Sequence, residues 1–219
     1  MTKIPKPIIR STERVRDLGE VLTPPHIVKD ILAQIPQAYM DGSSYSTVLE
    51  PSCGDGNFLV EILESKILGI SGKSFNFKSL EQLSSIYGVD ISPENIFGSF
   101  GHKGARDRIA ETFVSICTSL GHVPNAQSLV IANWIIQKNI QLADMLTGFY
   151  VEKPRTELEF IKYEFNEKTP KVKATVFTQS EIKTIAGDSL SREQKLFAPA
   201  GEILFEGTLG QFFEFCEAN

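Results

Sequence analysis

The sequence predicts an α/β fold built around a mostly parallel sheet, with a β-hairpin towards the C-terminus. In the first 150 residues, helical patterns alternate with three short apolar strands that each end in an acid, at residues 47–50, 85–90 and 139–144. Parallel neighbours need a covered crossover connection, so this alternation predicts βαβ units. Residues 158–177 instead alternate polar and apolar side chains around a turn at 166–170, which is typical of a hairpin.

The composition is that of a globular protein with a negative net charge. The 219 residues include 22 Lys and Arg against 27 Asp and Glu, a net charge of −5. The three scattered cysteines exclude a disulfide scaffold and a four-thiolate zinc site. No apolar run approaches the ~18 residues of a membrane span, and the N-terminus is polar, so we expect a soluble cytoplasmic protein without membrane contact.

Residues 1–18 are predicted to form a basic arm. Five basic residues face the single acid Glu13 within residues 1–16, a net charge of +4 that leaves −9 on the remaining 203 residues. A basic terminus is often only solvated, and the alternative is contact with nucleic-acid phosphates. The candidate contacts are Lys3, Lys6, Arg10, Arg14 and Arg16. Because the rest of the chain is acidic, we expect weak DNA binding by the chain alone.

The first helix is predicted to begin at Thr23-Pro24-Pro25, with Thr23 as its N-cap and proline at its first position. We expect it to end at Pro36. Its apolar face is predicted from isoleucines four residues apart: Ile27, Ile31 and Ile35.

The remaining helices and the C-terminal segment follow from similar patterns. A helix after the first strand is predicted from its apolar stripe: Phe58, Leu59, Ile62, Leu63 and Ile67. Further helices are expected from Pro93, capped by Ser92, and over residues 112–120 and 128–137. Residues 203–215 predict a short strand followed by an aromatic-rich tail that packs against the core.

The turn after the first strand is the first candidate site. Gly54 and Gly56 let a ligand approach the backbone, at the strand end where open α/β sheets bind ligands. The third glycine of the dinucleotide fingerprint is absent, and the acids Glu50 and Asp55 lie beside the turn. Two carboxylates disfavour a phosphate and favour a ligand with an amine or hydroxyls. An ordinary tight turn without a ligand is the alternative.

Two further acids end the second and third strands. Asp90 has the position from which a carboxylate accepts both hydrogen bonds of a ribose diol, and Asp144 could accept an adenine amine. The alternative for each is a helix cap or a surface carboxylate. Together with Glu50, these acids suit an amino-bearing adenosine ligand better than a pyrophosphate.

Three segments resemble the S-adenosylmethionine-binding motifs of gamma-type adenine-N6 DNA methyltransferases of restriction–modification systems, in the order found in that family. They are Gly19-Glu20-Val21-Leu22-Thr23-Pro24-Pro25, Val48-Leu49-Glu50-Pro51-Ser52-Cys53-Gly54-Asp55-Gly56-Asn57-Phe58-Leu59-Val60-Glu61 and Ile86-Tyr87-Gly88-Val89-Asp90-Ile91. Residues 139–146 are similar to the next motif. The resemblance implies a Rossmann-like class I methyltransferase fold, with a cofactor-binding domain at 19–150 and residues 151–219 as the hairpin-containing C-terminal part of the same domain.

The resemblance also implies a role for each matched residue in holding S-adenosylmethionine. Thr23 and Pro24 would contact its methionine end, and Asp90 its ribose hydroxyls. Ile91 would pack against the adenine, and Asp144 would accept the adenine amine, with Met145 nearby. The amino-acid moiety would be held by the first strand end and its turn: Glu50, Pro51, Cys53, Gly54 and Gly56.

The sequence departs from the family in lacking its catalytic tetrapeptide. That tetrapeptide, Asn/Asp/Ser-Pro-Pro followed by an aromatic residue, binds the flipped base. No such tetrapeptide follows Asp144, where Pro154 and Pro170 stand alone and neither follows an Asn-Pro, so the catalytic residues are unassigned. The resemblance also implies a large target-recognition region, for which we expect no room in this chain, so a partner subunit would supply recognition or catalytic residues.

Several functions therefore stay open at this point. The first is DNA adenine-N6 methylation with a degenerate or partner-supplied target site. The second is a catalytically inactive, cofactor-binding subunit that regulates or completes a modification or defence complex. A methyltransferase for another acceptor is a third, and an oxidoreductase is disfavoured by the missing third glycine.

The other reactive residues predict little chemistry. His26, His102 and His122 are far apart and lack ligands at metal-binding spacing, so no metal site is expected. Cys53 is interpreted as a small packing residue rather than a nucleophile. The basic segment 102–108 is predicted to be either a solvated helix start or a contact for nucleic acid.

Overall fold

The computed structural model describes residues 23–36, 46–71, 74–181 and 201–219. The basic arm and its five candidate contacts lie outside these ranges. The helices are α1 (Pro25–Leu32), α2 (Asn57–Leu68), α3 (Phe75–Ser84), α4 (Pro93–Phe97), α5 (Ala105–Ser119), α6 (Ala126–Asn139) and α7 (Leu209–Ala218). The strands are β1 (Val48–Glu50), β2 (Ile86–Asp90), β3 (Ile140–Asp144), β4 (Phe149–Tyr150), β5 (Glu159–Asn166), β6 (Lys171–Thr178) and β7 (Glu202–Thr208).

The first sheet has the order β1-β2-β3-β4 and is mostly parallel. β1 and β3 flank β2 in parallel, whereas the two-residue β4 runs antiparallel to β3. The α/β fold with a mostly parallel sheet is therefore confirmed, and the three predicted strands lie within one residue of their expected bounds. Asp90 pairs in register with Leu142, so β3 extends two residues beyond β2 and ends at Asp144.

Side chains cover both faces of β2, as is usual for a parallel strand, and all five of its residues are buried. Ile86 joins the main core, which includes the buried stripe of α2. Tyr87 and Val89 point the other way, into a second cluster with Leu158 and Phe160 near β5. The hairpin strands contribute to both clusters, with Tyr163 and Val172 in the main core beside the helices and Phe160 in the second cluster.

The predicted hairpin is confirmed as β5 and β6, which pair antiparallel from Glu159 opposite Thr178 to Asn166 opposite Lys171. β7 adds a third antiparallel strand beside β6. The Tyr87 hydroxyl donates to the Ile161 carbonyl at 2.7 Å, which joins this second sheet to β2. Within the described ranges the hairpin does not pair with β1.

The aromatic tail packs as predicted, as part of α7. Phe212 and Phe215 contact the edge of the Trp134 ring, each with a centroid distance of 5.6 Å, and Phe205 of β7 completes the cluster. A capping box starts the helix: the Thr208 side chain accepts from the Gln211 amide, and the Gln211 side chain accepts from the Thr208 amide. The tail therefore closes the core.

The predictions for α1 were wrong at its start and along its apolar face. Its N-cap is Pro24, and Thr23 does not cap it. The helix ends at Leu32, so Ile35 lies beyond its end, and Ile31 is 44 % exposed. The fully buried side chain is instead Val28, which follows Ile27 in the chain and is not part of the predicted stripe. Among the helices of the described ranges, none has the length and apolarity needed to cross a bilayer.

Candidate active site at the carboxyl edge of the parallel sheet

The turn after β1 is fastened to the end of β2. The Cys53 amide donates to the Val89 carbonyl, and the Gly54 amide donates to Asp90 Oδ2, both at 2.9 Å. Glu50, the turn and Asp90 therefore lie together at the carboxyl edge, as the sequence predicts. Asp144 ends the next strand along this same edge.

Asp90 organises this edge. Its Oδ1 accepts from the Ser92 amide at 2.9 Å and from Asn95 Nδ2 at 3.1 Å, while Oδ2 accepts from the Gly54 amide. The residue is only 7 % exposed. A carboxylate offers about four acceptor sites, so Asp90 retains capacity for one further donor after it has fixed the turn.

Arg108 of α5 clamps the other side of the turn. Its Nη1 donates to the Asp55 carbonyl and forms an ion pair with Asp55 Oδ1, both at 2.8 Å. Its Nη2 donates to Asn57 Oδ1 at 2.8 Å, and Asn57 Nδ2 donates to the Thr23 carbonyl at 3.0 Å. Thr23, and with it Pro24, is thus held beside the turn. The Asp55 carboxylate is occupied by Arg108, so Asp55 is a structural acid.

Gly56 permits a close approach between the turn and α5. It is the N-cap of α2 in a left-handed conformation, with φ of +89°. A Cβ at this position would lie 3.2 Å from Ala105 Cβ. Glycine therefore avoids both backbone strain and crowding here.

Burial changes the acidity of two groups in the turn region. Desolvation raises the pKa of the half-buried Glu50, and a hydrogen bond from the Ser52 backbone only partly offsets this effect. Burial also raises the pKa of the Cys53 thiol well above its usual range, with further contributions from Asp90 and Glu50. Cys53 is therefore a protonated packing residue, as interpreted from the sequence. Pro51, at the first position of the turn, is exposed.

Asp144 has one carboxylate oxygen fixed by the backbone of the turn that follows it. Its Oδ1 accepts from the Leu146 amide at 2.9 Å and from the Thr147 amide at 3.4 Å, and the Leu146 bond is the main cause of a lowered pKa. A hydrogen bond from the Thr147 side chain lowers this pKa further. Exposed apolar side chains follow both acids, with Ile91 52 % and Leu146 91 % exposed, while Met145 packs partly into the second cluster.

The basic segment 102–108 begins a helix, and two of its arginines hold other parts of the chain. Arg106 donates to the carbonyls of Ile140 and Gln137, both at 2.8 Å, and its guanidinium lies over the Phe97 ring. Arg108 is the turn clamp. The guanidinium groups of both arginines are therefore bound within this chain, and the predicted helix start is confirmed, because α5 begins at Ala105. Contact of this segment with nucleic acid stays a prediction.

The described residues contain no group of three or more His, Cys, Asp or Glu side chains arranged to hold a metal ion. Comparisons of the sequence with protein-family models, curated proteins and solved structures find no significant match. The function must therefore be inferred from the chemistry of this edge.

Proposed function

We propose that this chain binds S-adenosylmethionine at the carboxyl edge of the parallel sheet and acts in adenine-N6 methylation of DNA, with a Rossmann-like class I methyltransferase fold. The supporting observation is that Glu50 and Asp144 lie on the two strands that flank β2, on either side of Asp90. They are separated by two strand spacings across the sheet and by four residues along it, which places their Cα atoms ~16 Å apart. An edge with acceptor-only groups at both ends suits a ligand that carries an amine at each end.

The residues present fit this cofactor in charge and hydrogen bonding. Glu50, whose carboxylate is disfavoured by burial, would gain a counter-ion in the ammonium group of the methionine moiety. Asp90 would accept from the ribose with its remaining capacity, and Asp144 Oδ2 would accept from the adenine amine. The exposed Ile91 would cover one face of the adenine, and Thr23 and Pro24 would border the methionine end.

The cofactor, when bound, supplies a methyl group on a sulfonium sulfur. Residues of this chain would bind and orient it, so that the bond from the methyl carbon to N6 of the acceptor adenine forms as its bond to sulfur breaks. The sulfonium would leave as a thioether, and the proton lost from N6 would pass to solvent. The buried Cys53 thiol stays protonated and so does not compete as a nucleophile.

A second candidate function is a cofactor-binding subunit that a partner completes. Residues 1–219 contain no Asn/Asp/Ser-Pro-Pro-aromatic tetrapeptide. In addition, β1 is an edge strand of its sheet within the described ranges, and its Leu49 is 42 % exposed. The side of the turn beyond β1 therefore has no strand of the described chain from which a catalytic group could project.

Calorimetry with S-adenosylmethionine tests the binding proposal. Asp144→Asn is the sharpest variant, because its Oδ1 still accepts from the Leu146 amide while an NH2 group replaces Oδ2. This NH2 group and the adenine amine are both donors, so they cannot form a hydrogen bond with each other. We expect the variant to lose about tenfold or more in affinity. The matched control is Glu214→Gln, on the exposed face of α7. Absence of binding at millimolar ligand, or equal affinity in both variants, would overturn the proposal.

Transfer of a tritiated methyl group to unmethylated DNA separates the two candidate functions. Incorporation by the purified chain alone would establish an autonomous enzyme. Incorporation only in the presence of a cell extract from the source would favour the subunit that a partner completes.

A further inference from the structure

We infer that Gln179, at the end of β6, is a positioning residue for the turn that holds Asp144. The inference rests on the proposed function and adds to it a residue, directly after β6, that the sequence motifs do not contain. It concerns residues 144–148, which connect β3 to β4.

Gln179 reaches this turn from the second sheet. Its side-chain Nε2 donates to the Met145 carbonyl at 2.7 Å and lies 3.3 Å from Met145 Sδ. The residue is only 3 % exposed. Both amide hydrogens are thus directed at the residue that follows Asp144.

Backbone hydrogen bonds connect Gln179 to the other end of the same turn. The Gln179 amide donates to the Leu158 carbonyl, and the Leu158 amide donates to the Gly148 carbonyl, both at 2.8 Å. The turn is therefore held at Met145 and at Gly148, the two sides of the residues that bond Asp144.

Gly148 is shaped to accept the Gln179 side chain. Its φ is +84°, and a Cβ on Gly148 would collide with Gln179 Oε1. Only glycine combines this backbone conformation with room for the amide group.

The consequence concerns the orientation of the Asp144 carboxylate. Its Oδ1 is fixed by the amides of Leu146 and Thr147, which lie between the two points held through Gln179. Loss of the Gln179 side-chain amide would release the turn at Met145, while the backbone bonds at Gly148 remain. The Leu146 and Thr147 amides, and with them the direction of Oδ2, would then be less firmly fixed.

Gln179→Met tests this role, because it keeps the length and burial of the side chain but removes the amide. Gln141→Met is the matched control. Gln141 is also a buried glutamine that joins the sheets, donating to the Glu159 carbonyl at 2.7 Å, but it lies within β3. If Gln179→Met does not fold, Gln179→Asn, with an amide one methylene shorter, replaces it.

The first readout needs no ligand and is the pKa of the Asp144 carboxyl, measured by NMR titration. We expect it to rise towards its ordinary value in Gln179→Met, because the Leu146 hydrogen bond that lowers it is weakened, and to stay unchanged in Gln141→Met. Equal values in the wild type and Gln179→Met would overturn the inference.

The second readout is discrimination between S-adenosylhomocysteine and S-inosylhomocysteine, which carries an oxo group in place of the 6-amine. We expect the ratio of the affinities for S-adenosylhomocysteine and S-inosylhomocysteine to fall about tenfold in Gln179→Met and to stay unchanged in Gln141→Met. An equal loss of affinity for both ligands would indicate a merely structural role and overturn the inference. If the wild type binds neither ligand, the proposed function fails, and the Asp144 titration alone decides the role of Gln179.

Discussion

Gly54 and Asp90, 36 residues apart in the chain, are joined by a 2.9 Å hydrogen bond from the Gly54 amide to Asp90 Oδ2. The bond connects the turn after β1 to the end of β2. Because Asp90 also accepts from Ser92 and Asn95, a single carboxylate sets the relative positions of three backbone segments. Asp90 is thus needed for the shape of the edge before any ligand contact.

Asp90→Asn is expected to lower the free energy of unfolding by about 1–3 kcal/mol. The carboxamide has a single acceptor oxygen, so its NH2 group must face either the Gly54 or the Ser92 amide. Urea denaturation measures the change. Asp30→Asn, on the exposed face of α1, is the control and should stay within about 0.5 kcal/mol of the wild type. Equal stabilities of the two variants would contradict this role.

Glu50→Gln is expected to stabilise the ligand-free protein while weakening cofactor binding. Because the pKa of Glu50 is raised in the folded state, that state binds the proton more tightly than the unfolded chain does. The stability from this group is therefore present below the unfolded pKa and lost as the pH rises through the folded pKa.

The gain in Glu50→Gln should be about 0.5 kcal/mol or more near neutral pH and should vanish below the ordinary glutamate pKa, ~4.3. Urea denaturation at these two pH values tests the sign. A variant that is less stable than the wild type near neutral pH would show that the Glu50 carboxylate is satisfied without a ligand.

Gly56→Ala is expected to be more destabilising than Gly121→Ala. Both glycines have a positive φ, +89° and +82°, so both variants incur a backbone penalty of about 1–2 kcal/mol. A Cβ at Gly121 meets nothing within 4 Å, whereas at Gly56 it crowds Ala105. The additional loss in Gly56→Ala, about 1–3 kcal/mol, should appear in thermal unfolding. Equal losses would mean that α5 moves freely away from the turn.

The positions of the strand-end acids could be predicted from the sequence, because each is marked locally. Glu50, Asp90 and Asp144 each end a short apolar run and precede turn residues, and parallel strands bring such ends to one edge. The start of α1 could not be predicted as well. Helix formation begins only after Pro24, so Thr23 lies too far back to cap it, and packing rather than residue spacing selected Val28 for burial.

The residues that fix the site carry no local signal. Arg108 is 53 residues from Asp55, and Gln179 is 34 residues from Met145. Arg108 also lies in a segment whose charge pattern indicates solvent or phosphate contact. Such roles depend on which elements pack together, and helix α3, which supplies part of the core, was itself not predicted.

Arg108→Met is expected to destabilise the turn and to weaken cofactor binding together. The variant leaves the Asp55 carbonyl and Asn57 Oδ1 without their guanidinium donor, at a cost of about 1–3 kcal/mol in unfolding free energy. Arg108→Lys should not restore stability, because one ammonium group cannot span the two acceptors as the planar guanidinium does.

Arg155→Met is the matched control for Arg108→Met, because it removes the same charge from an exposed loop. We expect the free energy of unfolding, measured by urea denaturation, and the affinity for S-adenosylmethionine, measured by calorimetry, to fall only in Arg108→Met. Both variants should lose the same amount of DNA affinity. A loss of DNA affinity in Arg108→Met that exceeds the loss in Arg155→Met, at unchanged stability, would instead make Arg108 a phosphate contact. The expected result follows from the geometry, since both guanidinium ends are bound to the turn at 2.8 Å.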